Sequence, residues 1–292
     1  AGAHICLMIG PPGVGKSMLA KRLPSILPDM SLDEALELTK IYSIAGNNSQ
    51  KGLMKNRPFR SPHHTSSAAA IVGGGTYPKP GEVTLSHNGV LFMDEFPEFN
   101  RGVLESLRQP LEDHCVTISR ANRTLQFPCR FMLVAAMNPS PSGRWDDPDI
   151  STFTMQKYLA KLSRPLMDRI DLHLDVADLK AHELLHAEAG ESSLTIKERT
   201  TQARKIQRHR LNDGSMSCNA YMNHKQIKQF CSATQEGRSL LNQAIQELNL
   251  SARAYDKILK ISRTIADLAK EDRIQEEHIA EAVQYRSLDR KW

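Results

Sequence analysis

The five cysteines of this chain, Cys6, Cys115, Cys129, Cys218 and Cys231, form no CxxC pair. That excludes a zinc ribbon or finger and a thioredoxin-like redox centre. A sparse, odd set is no disulfide framework, so reduced thiols and a cytoplasmic location are the expectation. No apolar run approaches the ~18 residues of a membrane span, so no membrane-crossing helix is expected. Aromatic residues make up only 5% of the chain, too few for rows of bases stacked on rings. Charge of one sign is scarce too: 38 Lys+Arg against 33 Asp+Glu leave a net +5, which permits a polyanionic partner without demanding one. No basic-then-apolar leader opens the sequence. It begins almost at once on the apolar run His4–Ile9, an abrupt start expected of a piece of a longer protein. What is present, 40% apolar and 24% charged residues over 292 positions, is the composition of a folded chain with room for one large or two ordinary domains.

Short apolar runs alternate with helical patterns up to residue 178. Ile5–Ile9, Val90–Met93, Phe131–Met137 and Ile170–Val176 read as strands, nearly continuous in apolar character as strands buried on both faces of a parallel sheet must be. Lys16–Leu27, Ser31–Ser43 and Asn100–Leu111 read as the helices between them, giving an α/β class with crossover helices. Beyond Val176 the chain turns polar. Ile196–Leu211 reads as a basic helix, offering either contacts to a nucleic-acid backbone or a solvated face. Everything from Tyr221 reads as helical, most clearly Ser251–Lys270 with Ile258, Ile261, Ile265 and Leu268 on one stripe. The expected organisation is an α/β nucleotide-binding domain over 1–178, a polar connector over 179–219 and a small all-helical domain over 220–292.

Gly10-Pro11-Pro12-Gly13-Val14-Gly15-Lys16-Ser17 follows an apolar strand and opens a helix, fitting G-x-x-x-x-G-K-[ST] in the context that pattern needs. The glycines let successive N–H groups turn toward one cluster of phosphate oxygens, and the helix adds its positive end. Lys16 is placed for the β- and γ-phosphates of ATP and Ser17 for Mg²⁺. Val90–Met93 ends in Asp94 and Glu95, at the strand end where open α/β sheets bind ligands. Asp94 is the expected partner of the hydrated Mg²⁺, and Glu95 the group that polarises the attacking water. The next strand ends in Asn138, which is either an orienter of that water or the start of an Asn-Pro turn.

The order of cradle, Asp-Glu strand and Asn strand resembles the AAA+ ATPases. The strings Arg57-Pro-Phe-Arg60-Ser-Pro-His63-His64-Thr65, Gly73-Gly-Gly75, Pro80-Gly-Glu82, His87-Asn-Gly-Val-Leu-Phe-Met-Asp-Glu-Phe96 and Leu166-Met-Asp-Arg169-Ile-Asp-Leu-His173 narrow the resemblance to the magnesium-chelatase-like branch, and within it to the ComM competence-protein family. The resemblance covers essentially the whole chain. It implies a P-loop AAA+ core with a central parallel sheet and β-hairpin inserts, a C-terminal helical lid, and a homo-oligomeric ring, a hexamer, with ATP between subunits. It makes Asn138 sensor 1, Arg169 the arginine finger and Arg253 the sensor 2 arginine. Members usually carry an additional N-terminal Lon-protease-like domain. Ser140 and Ser142 stand where many members have cysteines, so no structural zinc is expected. Arg57, Arg60, His63 and His64 stay outside the nucleotide chemistry, open to an interface, a pore loop or a metal.

The long stretch between Lys16 and Asp94 calls for an insertion. Ala68–Ser86, with Gly73–Gly75 as a turn and alternation in Glu82-Val-Thr-Leu-Ser86, resembles the helix-2 insert of related motors. Val116–Phe127 alternates on both sides of a short turn and reads as a hairpin, resembling the pre-sensor-1 hairpin that lines the channel of related rings. Arg120 and Arg123 near its tip would grip phosphates without reading sequence. The resemblance thus implies an Mg²⁺–ATP-dependent ring motor on single-stranded or branched DNA, a branch-migration helicase of natural transformation. The alternatives are the ATPase subunit of a metal chelatase and an ATP-gated assembly scaffold.

Overall fold

The computed structural model describes residues 1–46, 52–75, 78–120, 123–144, 147, 149–178, 190–211, 218–248 and 250–286. Residues 179–189 and 212–217 of the expected connector, and 121–122 at the hairpin tip, lie outside them. The strands in chain order are β1 (Cys6–Ile9), β2 (Phe59–Arg60), β3 (Gly73–Gly74), β4 (Lys79–Pro80), β5 (Val90–Met93), β6 (Cys115–Arg120), β7 (Arg123–Pro128), β8 (Met132–Met137) and β9 (Leu172–Asp175). Five make one parallel sheet in the order β2-β5-β8-β1-β9, which seats β1 between β8 and β9.

The apolar runs form this sheet because each strand can bury both faces. Leu7 and Ile9, Leu91 and Met93, and Leu133, Ala135 and Met137 share one core with Phe96, Leu104 and Leu107. The alternate residues Cys6 and Met8, Val90 and Phe92, and Val134 and Ala136 form a second core with Ala20. Each large side chain buried this way contributes about 1.5–3 kcal/mol. All four expected strands are present, joined by the two-residue edge strand β2, which is too short to show in the sequence.

Two local expectations are corrected. Asn100–Leu111 is not one helix but two, Arg101–Ser106 and Arg108–Asp113, joined at Leu107. Pro110 has no N–H for the Ser106 carbonyl, and its ring crowds the preceding turn. Glu82–Ser86 is not a strand: Glu82–Leu85 is a short helix behind Gly81. Thr84 is as buried as Val83 and Leu85, so the alternation separates no outer face from an inner one. Among its described residues the insert keeps only the β3–β4 ladder. It abuts the β6–β7 hairpin closely enough that a Cβ on Gly73 would meet the Ile118 side chain at 2.9 Å.

The C-terminal helices include His224–Phe230, Gln235–Leu248, Ala252–Ala269 and Glu276–Gln284. Ile258 and Ile261 pack their stripe against Ile274, Ile279 and Ala282. Ser251 caps Ala252–Ala269 by accepting from the Ala254 N–H, and Lys270 ends it in the left-handed region. No described helix is long and apolar enough to cross a membrane. The basic helix, Ser193–Leu211, ties four of its six lysines and arginines to distant segments of the chain, two of them at the surface. Lys197 pairs with Asp29 at 2.7 Å, Arg208 with Glu34 at 3.2 Å, and Arg204 donates to the Ala1 carbonyl at 2.6 Å. Arg210 pairs with buried Asp267. Arg204 and Arg210 are thereby taken out of the solvated face, while Lys197 and Arg208 keep their pairs at the surface.

Asp171 fastens the helices to the sheet. Its carboxylate accepts from Ile5 N at 2.9 Å and pairs with Lys257 Nζ at 2.8 Å. Burial works to raise its pKa, but the Lys257 charge and the His4 imidazole outweigh burial and hold it far below the usual carboxylate range. The stability this supplies is complete above the unfolded carboxyl's value and drains away as pH falls toward the depressed folded value. Lys257→Met strands the buried carboxylate and is expected to cost about 3–5 kcal/mol in urea unfolding at pH 7. A loss under about 1 kcal/mol would mean that this pair does not fasten the two parts.

Candidate active site

The loop after β1 is shaped for an anion by its glycines. A Cβ on Gly10 would stand 2.3 Å from the Val176 carbonyl, and Gly13 and Gly15 sit at φ +88° and +87°. Gly15 caps the helix Lys16–Ile26 with no side chain, so the first-turn N–H groups have no acceptor within the helix. Lys16 is 7% exposed. Its Nζ donates to the Gly10 and Pro11 carbonyls at 2.6 and 2.7 Å, and to Asn138 Oδ1 at 3.2 Å. Burial lowers its pKa and the charge of Asp94 works against that. Ser17 Oγ donates to Asp94 Oδ2 at 2.5 Å, and Asp94 Oδ1 accepts from Glu95 N at 2.9 Å. Lys16, Ser17, Asp94 and Asn138, far apart in sequence, thus meet at the carboxyl ends of β1, β5 and β8. Donors at the helix start, a buried cation, and a hydroxyl–carboxylate pair fit a nucleoside triphosphate with Mg²⁺.

Glu95 stands apart from its neighbours. Its backbone is left-handed at φ 50°, unusual for a glutamate. The carboxylate is more than half exposed and meets His64 Nδ1 at 2.9 Å. His64 is itself held, with the His63 ring 4.2 Å away and the edge of Phe99 at 6.4 Å. Sequence reasoning left His64 without a role, and no local pattern ties it to Glu95. Behind Asn138, whose carbonyl accepts from Tyr158 Oη at 3.0 Å, lies a cavity of about 390 Å³ that Glu95 also lines.

Arg57 and Arg60 belong to the scaffold. Arg57 is buried, donates to the Pro28 and Asn88 carbonyls at 2.7 and 2.6 Å, and pairs with Glu34. Arg60 grips Glu82 with two hydrogen bonds, at 2.6 and 2.7 Å, tying β2 to the insert. The Arg57 guanidinium is enclosed by these partners, while Arg60 stays a third exposed.

Arg169 and Arg253 come together, but not at the cradle. Arg169 Nη2 pairs with Glu112 Oε2 at 2.5 Å, and Arg253 Nη2 reaches Glu112 Oε1 at 3.5 Å. Both line a cavity of about 330 Å³ with Ile5, Phe131 and Asp171, residues at the amino ends of β1, β8 and β9. Ile5 and Gly10 bracket β1, so about 16 Å of extended chain separates the two arginines' end of the sheet from the cradle.

The β6–β7 hairpin leaves the same region. Val116, Ile118 and Phe127 bury its root, Leu125 is exposed, and the backbones of Arg120 and Arg123 pair at its outer end. His114, left-handed at φ 54°, is the one residue between the helix carrying Glu112 and β6, and its carbonyl accepts from Cys129 N at 2.9 Å.

Residues 1–184 match the family model described as magnesium chelatase, subunit ChlI, and residues 190–286 the model for the C-terminal part of that subunit. Competence protein ComM of Haemophilus influenzae is 47% identical over 293 residues, covering 99% of this chain and 57% of that protein. YifB of Escherichia coli K12 is 45% identical over 294 residues, with the same 99% and 57% covered. The DNA replication licensing factor MCM7 of Arabidopsis thaliana is more distant, 27% identical over 199 residues that cover 65% of this chain and 24% of that protein. The chain therefore spans a little over half the length of ComM and YifB.

Proposed function

The chain belongs to the magnesium chelatase ChlI family, and from that premise we propose that it is an Mg²⁺- and ATP-dependent ring motor on DNA. One observation carries the reading: the cradle and the arginine pair sit at opposite ends of the same strands. A chain built this way cannot place Arg169 on its own nucleotide, whereas a second copy, docked head to tail, can. Repeating that contact until it closes gives the ring, taken as six copies.

In this reading Gly10, Pro11, Pro12, Gly13, Val14, Gly15 and Lys16 hold the phosphates of ATP. Ser17 and Asp94 would hold Mg²⁺, which when bound would neutralise phosphate charge. Glu95 polarises the attacking water, and His64 keeps its carboxylate aimed until the nucleotide is seated. Asn138 orients the same water while sharing the Lys16 ammonium. Arg169 and Arg253 of the neighbouring copy meet the charge that spreads over the transferred phosphoryl oxygens, a contribution of about 10³–10⁵ in rate where such a finger acts.

The DNA part of the reading rests on the hairpin and on similarity to a competence protein and a licensing factor. Arg120 and Arg123 at the hairpin ends would line the ring's channel and hold single-stranded or branched DNA by its phosphates, as branch migration during natural transformation requires. Replacing both by alanine is expected to leave ATP turnover within about twofold and to lower strand displacement by at least about tenfold, since each lost phosphate contact weakens binding at every sequence. Normal displacement by that variant removes the hairpin from the channel. The family name also favours a second reading, the ATPase subunit of a metal chelatase. Single-stranded DNA that speeds hydrolysis supports the motor, and hydrolysis indifferent to DNA supports the chelatase subunit.

A further inference from the structure

Glu112 is the one carboxylate within ion-pair distance of Arg169 or Arg253 among the described residues, and it spans both. The two arginines are held unequally. Arg169 is buried and its Nη1 donates to the Pro165 carbonyl at 2.5 Å, so its guanidinium is fixed in the cavity wall. Its Nε is buried with no partner among the described residues. Arg253 is 63% exposed and only 3.5 Å from Glu112, a loose contact. The other cations of the cavity are committed elsewhere, Lys257 to Asp171 at 2.8 Å and Lys260 to the Ala220 carbonyl at 2.9 Å. Arg108 is taken up by Glu105 at 2.9 Å. Hydrogen bonding from Arg169, with the charges of Arg169 and Arg253, keeps the Glu112 carboxyl ionised below its ordinary range.

A carboxylate presents to a guanidinium the same pair of acceptor oxygens as the edge of a phosphate. An anion seated there repels another. Glu112 is half exposed and can turn out to water, whereas buried Arg169 needs another anion in its place, so the exchange is cheap only when a phosphate takes over.

We infer that Glu112 is a latch: it fills the phosphate's place between Arg169 and Arg253 in a lone chain, and the nucleotide bound to a second copy displaces it when the seam forms. This rests on the ring-motor reading and adds to it a competitor within the chain, which holds down assembly until a triphosphate is present. The alternative is a brace, in which Glu112 stays on the arginines and the seam needs it.

The test compares wild type, Glu112→Gln, Glu112→Asp and Glu105→Gln by sedimentation with a non-hydrolysable ATP analogue and Mg²⁺, with ATP turnover measured in parallel. Glu112→Gln keeps the side-chain shape and removes the competing charge, so half-assembly is expected at about fivefold lower protein concentration. Glu112→Asp shortens the reach and is expected to shift assembly the same way by less. Glu105→Gln, an equal change in net charge at a carboxylate paired elsewhere, should leave assembly unmoved. If folded Glu112→Gln or Glu112→Asp assembles only at the wild-type concentration or above it, Glu112 is a brace and the latch is overturned. That result leaves the ring motor standing when wild type still turns over ATP. A wild type that neither assembles nor hydrolyses ATP removes the ring motor, and the latch with it.

Discussion

Lys16→Ala is expected to lower ATP turnover by about 100- to 1,000-fold in a phosphate-release assay. Among the described residues of the cradle Lys16 supplies the only positive side chain, and three acceptors already aim its ammonium at the mouth of the loop. Alanine leaves the backbone N–H groups but removes the charge that must follow the phosphoryl oxygens. The variant should keep its fold, because the helix Lys16–Ile26 is anchored by Ala20 and Leu23 against the sheet rather than by Lys16. Turnover within about threefold of wild type would mean that the cradle is a glycine turn with no part in hydrolysis.

Arg169→Ala should fall as far, about 1,000-fold or more, for a different reason. It leaves the cradle whole and blanks the other end of the sheet. The two dead variants should therefore complement each other. At equal amounts in random order, about a quarter of the seams pair an intact cradle with an intact arginine, so an equimolar mixture should recover activity that neither variant has alone. Arg253→Ala belongs with Arg169→Ala in this scheme, because both arginines line one cavity. A mixture as inactive as its components would place the arginine and the lysine on the same nucleotide and contradict the separation described above.

The cradle was legible because its chemistry is local. Eight consecutive residues carry the turn, the charge and the hydroxyl, and the strand before them is apolar on both faces. The meeting of Asp94 and Asn138 with Lys16 and Ser17 follows from strand order, since each ends a buried parallel strand, β5 beside β8 and β8 beside β1, whereas the sequence left Asn138 open between this place and an Asn-Pro turn. The misreadings arose where pairing over distance decides. Arg57 looks exposed in a Pro-rich string but is buried among carbonyls supplied by two other segments. The basic helix reads as a solvated or a polyanion-binding face, and its partners Asp29, Glu34 and Asp267 come from segments the sequence does not tie to it. Glu112 and His64 carry no pattern at all: a glutamate on a short helix and one of two adjacent histidines acquire meaning only from Arg169 and Glu95. The split at Leu107 is different, because Pro110 announced it and the apolar spacing of Val103, Leu104, Leu107 and Leu111 masked the signal.

The root of the hairpin has a mechanical side. With a single left-handed residue, His114, between the helix Arg108–Asp113 and β6, and with the Cys129 amide bonded back to that same residue, there is no slack to absorb a tilt. Six residues of strand make an arm about 20 Å long. A swing of roughly 10° at its base carries the far end about 3.5 Å. A helix no longer than six residues thus sets where the far end of the hairpin lies.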